Sequence, residues 1–329
     1  MEIGKVPIEV LREIIFSNIK HRRPEVLVRP NIGEDCAVID FGEYVCVMST
    51  DPITGAIKDI GSLAVHISCN DIASSGVEPL GIMLTAMAPP GTTKEDLNYV
   101  MMEANKAAAS INVEIIGGHT EITDSVNRMI ISATAMGKQL KDKLVLTEGA
   151  EIGDVVFMTK HAGLEGASII ARDLENQLRG KIDYSTIKTA QNFIEDISVV
   201  REGVLAGKIG VNSMHDVTEG GILGALWELA EASDKGVEVY EDNIKIRQET
   251  VEICRALSID PMKLISSGVM IMSVSEDKKN QLMEAFNKEN MELTAIGKIT
   301  SGERVIIKEG ERRELLPPDV DELYKALER

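Results

Sequence analysis

Residues 66–84 have the sequence HISCNDIASSGVEPLGIML, which determines the kind of fold that this chain can adopt. The first half has the apolar spacing of a helix, which Gly76 is expected to end, and Pro79 introduces an apolar run that predicts a strand. A helix followed directly by a strand is typical of an α/β protein. The pair Asn70–Asp71 stands inside the apolar helix, where a charged side chain is expected to face a cleft or a cation.

The flanking sequence continues the alternation of helices and strands. Before this stretch, the spacing predicts an amphipathic helix over 6–19 and a hairpin turning at Gly42–Glu43. After it, we expect a helix capped by Thr92 or Thr93 and strands over 113–122 and 128–138. The periodicity pauses over 138–154, which predicts two α/β domains, residues 1–145 and 146–329. In the second, we expect helices near 164–178, 185–205, 221–232 and 278–290, strands near 155–160, 237–240 and 269–274, a closing hairpin near 294–307 and a short final helix.

Composition and charge exclude several classes of function. The 329 residues carry a formal net charge of −18, whereas nucleic-acid binding needs clustered Lys and Arg. We therefore expect no nucleic-acid partner. The sequence has no recognisable leader and no apolar run long enough to span a bilayer, so we expect no membrane association and a cytoplasmic location. The four cysteines show no C-x-x-C pairing, which argues against a zinc site or a disulfide framework.

Four further stretches place polar side chains at predicted strand ends or beside glycines: GEDCAV (33–38), STDPITG (49–55), GGHTE (117–121) and HDVTEGG (215–221). Taken singly, each has a structural explanation, such as a turn, a helix cap or a satisfied histidine. Pro52, for example, is expected to end the strand at Asp51, and Thr218 to cap a helix beginning near Gly221. Together, oxygen ligands spread over several strand ends are what Mg²⁺ bound to a polyphosphate requires.

None of the familiar nucleotide or hydrolase motifs is present. The sequence contains neither a G-x-x-x-x-G-K-[ST] loop nor a strand–G-x-G-x-x-G–helix unit, and it lacks the G-x-S-x-G and H-E-x-x-H patterns. A nucleotide would therefore have to bind through a different architecture.

The order of these motifs resembles that of the PurM-like, AIR synthase-related superfamily of ATP-dependent enzymes. The most specific matches are N-D-[IL]-A-x-x-G-x-x-P at 70–79 and D-x-T-x-G-G-[IL] at 216–222. The opening GK-x-P near residue 4 and the DP…SSG pattern at 260–268 look most like the branch of the hydrogenase maturation factor HypE. The resemblance covers nearly the whole chain.

This resemblance implies a two-domain α/β subunit whose N-terminal domain pairs with its copy in a homodimer, closing a barrel-like sheet, beside a C-terminal α/β sandwich. It further implies ATP and Mg²⁺ as cofactors, bound near the dimer interface. Carried over by motif, the expected metal ligands are Asp35, Asp51, Asp71 and Asp216. The expected nucleotide contacts are Asn70, His119, Thr120, Thr218, Gly220 and Gly221, and no catalytic residue is assigned.

The chemistry implied by the resemblance is activation of an acceptor oxygen by phosphoryl transfer, with a small-molecule or peptide-borne acceptor and a maturation-protein partner. Three features depart from the pattern of relatives: no cysteine follows Cys254, where HypE proteins end in a carbamoyl-accepting cysteine, His119 replaces an aspartate of the kinase branch, and Glu219 replaces a basic residue. We therefore expect an ATP–Mg²⁺ enzyme with an unidentified acceptor. The alternatives are a non-catalytic nucleotide-binding scaffold and a thiamine-monophosphate kinase-like phosphotransferase.

Overall fold

The computed structural model describes residues 4, 6–54 and 58–328, which form two β-sheets with helices packed against them. In the first half of the chain, the helices are α1 (Ile8–Val10), which continues as a π-helical segment (Leu11–Phe16), α2 (Ile60–Ser74) and α3 (Lys94–Ser110). The strands of this half are β1 (Val26–Val28), β2 (Ala37–Phe41), β3 (Tyr44–Ile53), β4 (Pro79–Ala88), β5 (Glu114–Ile122) and β6 (Ile130–Leu140).

The second half of the chain contributes the larger sheet. Its strands are β7 (Val155–Thr159), β8 (Ser213–Asp216), β9 (Gly236–Tyr240), β10 (Met270–Val274), β11 (Leu293–Thr300), β12 (Arg304–Lys308) and β13 (Glu311–Glu314). Its helices are α4 (Leu164–Asp173), α5 (Glu175–Leu178), α6 (Tyr184–Gln191), α7 (Val200–Ile209), α8 (Gly221–Ala232), α9 (Gln248–Leu257), α10 (Lys279–Lys288) and α11 (Glu322–Leu327).

The first sheet has the strand order β1-β2-β3-β6-β4-β5, and only the β4–β5 pair is parallel. Residues alternate between its faces, so that Val45, Val47 and Ser49 of β3 are buried on the face that α2 covers. Gly61 lets α2 and α3 approach closely, because a Cβ atom there would lie 2.3 Å from the carbonyl oxygen of Val100. The covered face therefore holds the core of this half.

The opposite face of the first sheet is apolar and open. Phe41, Leu80 and Ile116 are exposed there, and together with Tyr44 and Met136 they line a groove of about 450 Å³. Exposed apolar surface of this kind is typical of an interaction site.

The second sheet has the order β13-β12-β9-β11-β7-β10-β8 and carries helices on both faces. Phe157 of β7 packs in the core formed with α4, α6 and α9, whereas Val156 and Met158 pack in the core formed with α8. The two halves meet where α2 contacts α7. Gly207 of α7 permits this close approach, because a Cβ atom there would lie 2.6 Å from the Cα of Gly76. This two-domain α/β architecture confirms the predicted fold class.

Most of the predicted elements are present. The amphipathic helix at the start, the hairpin at Gly42–Glu43, α2, β4 and α8 are confirmed, and Thr93 caps α3 in a capping box with Asp96. The predicted helix over 185–205 is two helices, α6 and α7, separated by a 3-10 turn. The predicted domain boundary at 145/146 falls between β6 and β7, in the connection between the sheets.

Two local predictions were wrong. Pro52 does not end its strand, because β3 continues to Ile53 in register with β6. The hairpin near 294–307 does not form, because β9 lies between β11 and β12. Gly117 and Gly118 lie within β5, as the strand predicted over 113–122 requires, and Gly118 passes so close to β4 that a Cβ would meet the carbonyl oxygen of Leu84 at 1.9 Å.

Four of the helices and strands were not predicted: β1, β8, β13 and α9. Within the part of the chain that the structure describes, no helix combines the length and apolarity needed to cross a membrane.

Candidate functional site

The four aspartates predicted as metal ligands come from both halves of the chain and meet where the halves join. Asp35 lies just before β2, Asp51 lies on β3, and Asp71 lies in α2. Asp216 ends β8, the strand of the second sheet that packs against α2. The carboxylates lie close enough that Asp35, Asp51 and Asp216 each raise the pKa of Asp71. The structure therefore brings all four together.

Asp71 is buried among these charges. Burial raises its pKa well above the usual range, and repulsion from Asp216, Asp51 and Asp35 raises it further. One of its oxygens, Oδ2, accepts a hydrogen bond of 2.5 Å from the hydroxyl of Ser49. The thiol of Cys36 donates to the Asp71 carbonyl at 3.1 Å. The side chain is held firmly, yet no positive group offsets its charge through a direct contact among the described residues.

Asp216 is the least satisfied group of the site. Its side chain is 1% exposed, and among the described residues neither carboxylate oxygen has a hydrogen-bond partner. Burial raises its pKa well above the usual range, and the charge of Asp35 adds to the effect. A buried carboxylate without donors is costly unless a cation or a proton neutralises it.

His215 completes the cluster and was not predicted as a site residue. Its Nδ1 lies 2.8 Å from Oδ2 of Asp35, and its Nε2 lies 3.1 Å from Oε2 of Glu228 in α8. Burial alone would lower the pKa of His215, but the carboxylates of Asp35 and Glu228 outweigh it and raise the pKa well above its ordinary value. Its place directly before Asp216 was the one signal in the sequence.

Asn70, predicted as a nucleotide contact, has a structural role. Its amide nitrogen donates to the carbonyl of Ile197 at 2.8 Å, and its amide oxygen accepts from the backbone N–H of Val199 at 2.8 Å. Both polar atoms of this fully buried side chain are thus committed to the segment before α7. Asn70 joins the two halves of the molecule, and its contact with a nucleotide stays a prediction.

The backbone amides at the start of α8, the predicted phosphate approach, donate to groups of the chain itself. The backbone N–H of Gly220 donates to Oδ2 of Asp321 at 2.7 Å, and that of Gly221 donates to the carbonyl of Thr218 at 3.1 Å. Gly220, in the left-handed region at φ +86°, is the cap, so the side chain of Thr218 does not cap α8. These amides are occupied by the chain itself.

The C-terminal segment that contains α11 contacts this end of α8 and gives Glu219 a hydrogen-bond partner. The hydroxyl of Tyr324 in α11 donates to Oε1 of Glu219 at 2.7 Å, while Asp321 accepts from Gly220, Ile265 and Leu323. Glu219 is therefore a docking partner for α11.

His119 and Thr120 lie away from the aspartates within one chain. Both are on β5, the edge strand, and the imidazole of His119 is exposed, 3.5 Å from the carboxylate of Glu121. Asp51 and Gly118 stand in one row across β3, β6, β4 and β5. Three strand spacings of about 4.8 Å put the row's ends roughly 14 Å apart. Within one chain, His119 and Thr120 therefore lie outside the aspartate cluster.

The comparison with known families agrees with this geometry. The family described as AIR synthase related protein, N-terminal domain, matches residues 33–139, and the corresponding C-terminal domain matches residues 151–309. The chain belongs to the AIR synthase-related family. The first match contains Asp35, Asp51 and Asp71, and the second contains His215 and Asp216, so the cluster is built from both family domains.

Several curated relatives of this AIR synthase-related protein are known. A putative hydrogenase expression/formation protein of Methanocaldococcus jannaschii is 30% identical over 286 residues, covering 85% of this chain and 83% of the relative. The carbamoyl dehydratase HypE of Bradyrhizobium diazoefficiens is 28% identical, over 77% of this chain and 73% of its own length. The thiamine-monophosphate kinase of Pyrococcus horikoshii is 25% identical, over 87% and 88%.

Solved structures share the fold of this AIR synthase-related chain. The HypE–HypF complex matches with a TM-score of 0.77 and 21% identity, over 94% of this chain and 99% of that chain. The hydrogenase maturation protein HypE in complex with ATP matches with a TM-score of 0.74 and 21% identity, over 98% and 97%.

Proposed function

We propose that this protein is an ATP- and Mg²⁺-dependent enzyme that activates an oxygen atom of an acceptor by phosphoryl transfer. The observation that carries the proposal is the buried carboxylate of Asp216, which has no hydrogen-bond partner among the described residues and lies beside three further aspartates. A charge cluster of this kind is stable when a cation occupies it.

The donor set fits Mg²⁺ bound to a polyphosphate. Carboxylate oxygens are the ligands that Mg²⁺ prefers, and it is usually held by one or two carboxylates together with substrate phosphates. Asp35, Asp51, Asp71 and Asp216 would hold the ion, which would neutralise phosphate charge during transfer. The occupied amides of Gly220 and Gly221 favour a site where phosphate is held through the metal rather than by the start of α8.

The acceptor that we favour is a carboxamide oxygen. This follows from the similarity to the carbamoyl dehydratase HypE, an enzyme named for its action on a carbamoyl group. Attack of the carboxamide oxygen on the γ-phosphorus would break the bond between that phosphorus and the β,γ-bridging oxygen, releasing ADP, and loss of one N–H proton to solvent would leave a phosphorylated imidate. A small molecule or a peptide could present this group, and the solved HypE–HypF complex favours a maturation protein as the partner.

We also propose that the working form is a homodimer joined through the open face of the first sheet. The exposed apolar groove lined by Phe41, Leu80 and Ile116 would be covered by the same surface of a second copy. Such pairing would cover the open face of the first sheet, in which β5 is an edge strand.

The test is a measurement of ADP release from ATP and Mg²⁺, alone and with an S-carbamoylated cysteine peptide or thiamine monophosphate. We expect ADP release to depend on the carbamoylated peptide and to be lost in Asp71→Asn. Release that depends on thiamine monophosphate would instead support a phosphotransferase. Tight Mg²⁺-ATP binding without turnover under any of these conditions would overturn the proposal that the protein is an enzyme and would support a nucleotide-binding scaffold.

A further inference from the structure

We infer that Asp35, His215 and Asp216 form a site for a transition-metal ion that the protein binds without nucleotide. The inference deepens the proposed function, because it concerns the same cluster, but it assigns a nitrogen ligand that Mg²⁺-ATP chemistry does not need. One ligand atom from each of the three residues lies within 4.8 Å of the others. Ligand atoms at about 2.0–2.2 Å from a single ion lie roughly 3–4 Å apart, so the pair formed by His215 Nδ1 and Asp35 Oδ2, 2.8 Å apart, would open slightly and any wider pair would close around a metal.

The unpaired atoms carry the argument. The Nδ1 atom of His215, the Oδ2 atom of Asp35 and both carboxylate oxygens of Asp216 are buried, and none has a hydrogen-bond partner among the described residues. His215 Nδ1 and Asp35 Oδ2 lie 2.8 Å apart without the geometry of a hydrogen bond. Two of the three side chains are almost fully buried, at 2% and 1% exposure. His215 and Asp35 form an ion pair across this distance, whereas the carboxylate of Asp216 beside them has no partner among the described residues, which points to a cation as its missing partner.

The other side of the His215 ring is already arranged for metal binding. Oε2 of Glu228 lies 3.1 Å from Nε2 of His215, so that a proton on Nε2 would donate to this carboxylate while Nδ1 faces the two aspartates. A carboxylate that accepts from the second ring nitrogen is the usual support of a metal-bound histidine. Without metal, a proton on Nδ1 takes the place of the ion, because metals and protons compete for the same lone pair.

The ligand set determines the class of ion. One imidazole nitrogen and two carboxylates suit Mn²⁺, Fe²⁺, Co²⁺ or Zn²⁺, whereas Mg²⁺ favours a shell of oxygens alone. Three protein ligands leave further coordination positions open, as in catalytic rather than structural metal sites.

The experiment uses the full chain freed of metal and titrated with Mn²⁺, Co²⁺ and Mg²⁺ in the absence of nucleotide. We expect one ion per chain, with Co²⁺ at least about tenfold tighter than Mg²⁺. Pulsed electron paramagnetic resonance of the bound Mn²⁺ should show coupling to a ¹⁴N nucleus. His215→Gln should abolish this coupling and weaken Co²⁺ binding about 100-fold, while Glu228→Gln should weaken it about tenfold.

The matched control is His66→Gln, which changes another buried histidine whose Nδ1 has no hydrogen-bond partner but which lies outside the cluster. It should leave both the ¹⁴N coupling and the affinity unchanged. Equal affinity for Mg²⁺ and Co²⁺, or Mn²⁺ without ¹⁴N coupling in the wild type, would overturn the inference even if His215→Gln fails to fold. Mg²⁺-ATP binding is measured separately, so that its absence with Co²⁺ binding intact would remove the proposed function and leave this inference standing.

Discussion

A buried carboxylate without donors contributes differently to stability from one that is fully hydrogen-bonded, and this chain contains both kinds. Asp216 has no partner among the described residues, and burial with neighbouring charge raises its pKa. A raised pKa in the folded state means that the ionised group costs stability at neutral pH. Asp216→Asn should therefore keep or increase the free energy of unfolding while lowering Mg²⁺-ATP affinity at least about tenfold, or about 1.4 kcal/mol.

The control for this prediction is Asp154→Asn. Asp154 is equally buried but accepts hydrogen bonds from Asn212, Ser273 and the backbone of Glu151. Its amide variant should lose about 2 kcal/mol of stability and keep its nucleotide affinity. Urea unfolding and calorimetric titration measure the two quantities. If Asp216→Asn unfolds as readily as Asp154→Asn and binds nucleotide normally, Asp216 is a structural residue.

Glu165, in the first turn of α4, makes stability depend on pH. Burial raises its pKa to about 7, although it accepts a hydrogen bond of 3.2 Å from the N–H of Ser267. Because the folded pKa is raised, its contribution is present at low pH and lost as the pH rises through about 7. Between pH 5 and pH 8 this loss should be about 2 kcal/mol.

Glu165→Gln should flatten that part of the pH dependence, measured as the free energy of urea unfolding at both pH values. The exposed Glu284→Gln serves as the control and should keep the wild-type slope. A wild-type slope in Glu165→Gln would show that Glu165 does not titrate in this range.

At the scale of elements, α2 is attached to the second half of the chain through Asn70. Its amide satisfies the carbonyl of Ile197 and the N–H of Val199, and the side chain is fully buried. Asn70→Ala leaves both backbone groups without partners, which should cost about 2–4 kcal/mol of unfolding free energy. Mg²⁺-ATP affinity measured below the melting temperature should stay the same.

Asn243→Ala is the matched control, because its amide also donates to a backbone carbonyl, at 3.0 Å, but on an exposed surface. It should cost less than about 1 kcal/mol. A large loss of nucleotide affinity in Asn70→Ala at an unchanged melting temperature would support the predicted role of Asn70 as a nucleotide contact.

The start of α8 shows why some element-scale features could not be predicted. The sequence TEGG correctly indicated that the helix begins at Gly221. The group that accepts the hydrogen bond from the amide of Gly220 is the carboxylate of Asp321, which lies 101 residues away in sequence. Similarly, β8 has no alternating apolar pattern and exists because it pairs with β10. Local sequence determines where such elements begin, whereas contacts distant in the chain determine what they bind.

For the whole molecule, the family motifs predicted the architecture and the meeting of four aspartates, because each motif was matched to a family whose fold brings these positions together. The histidine in the cluster was missed since its partners, Asp35 and Glu228, come from opposite halves of the structure. Pairing between strands distant in the chain also explains why the predicted hairpin of β11 and β12 does not form, since β9 lies between them.

The open face of the first sheet leads to the remaining prediction, which concerns assembly. Leu80 and Ile116 are 54% and 48% exposed and line the apolar groove that we propose a second copy covers. Leu80→Glu together with Ile116→Glu would place two charges in a buried interface and should convert a dimer to a monomer in sedimentation velocity. Met102→Glu, on the exposed side of α3, should leave the dimer intact. A wild-type protein that sediments as a monomer at every concentration, or a double variant that remains dimeric, would show that this face does not join two copies.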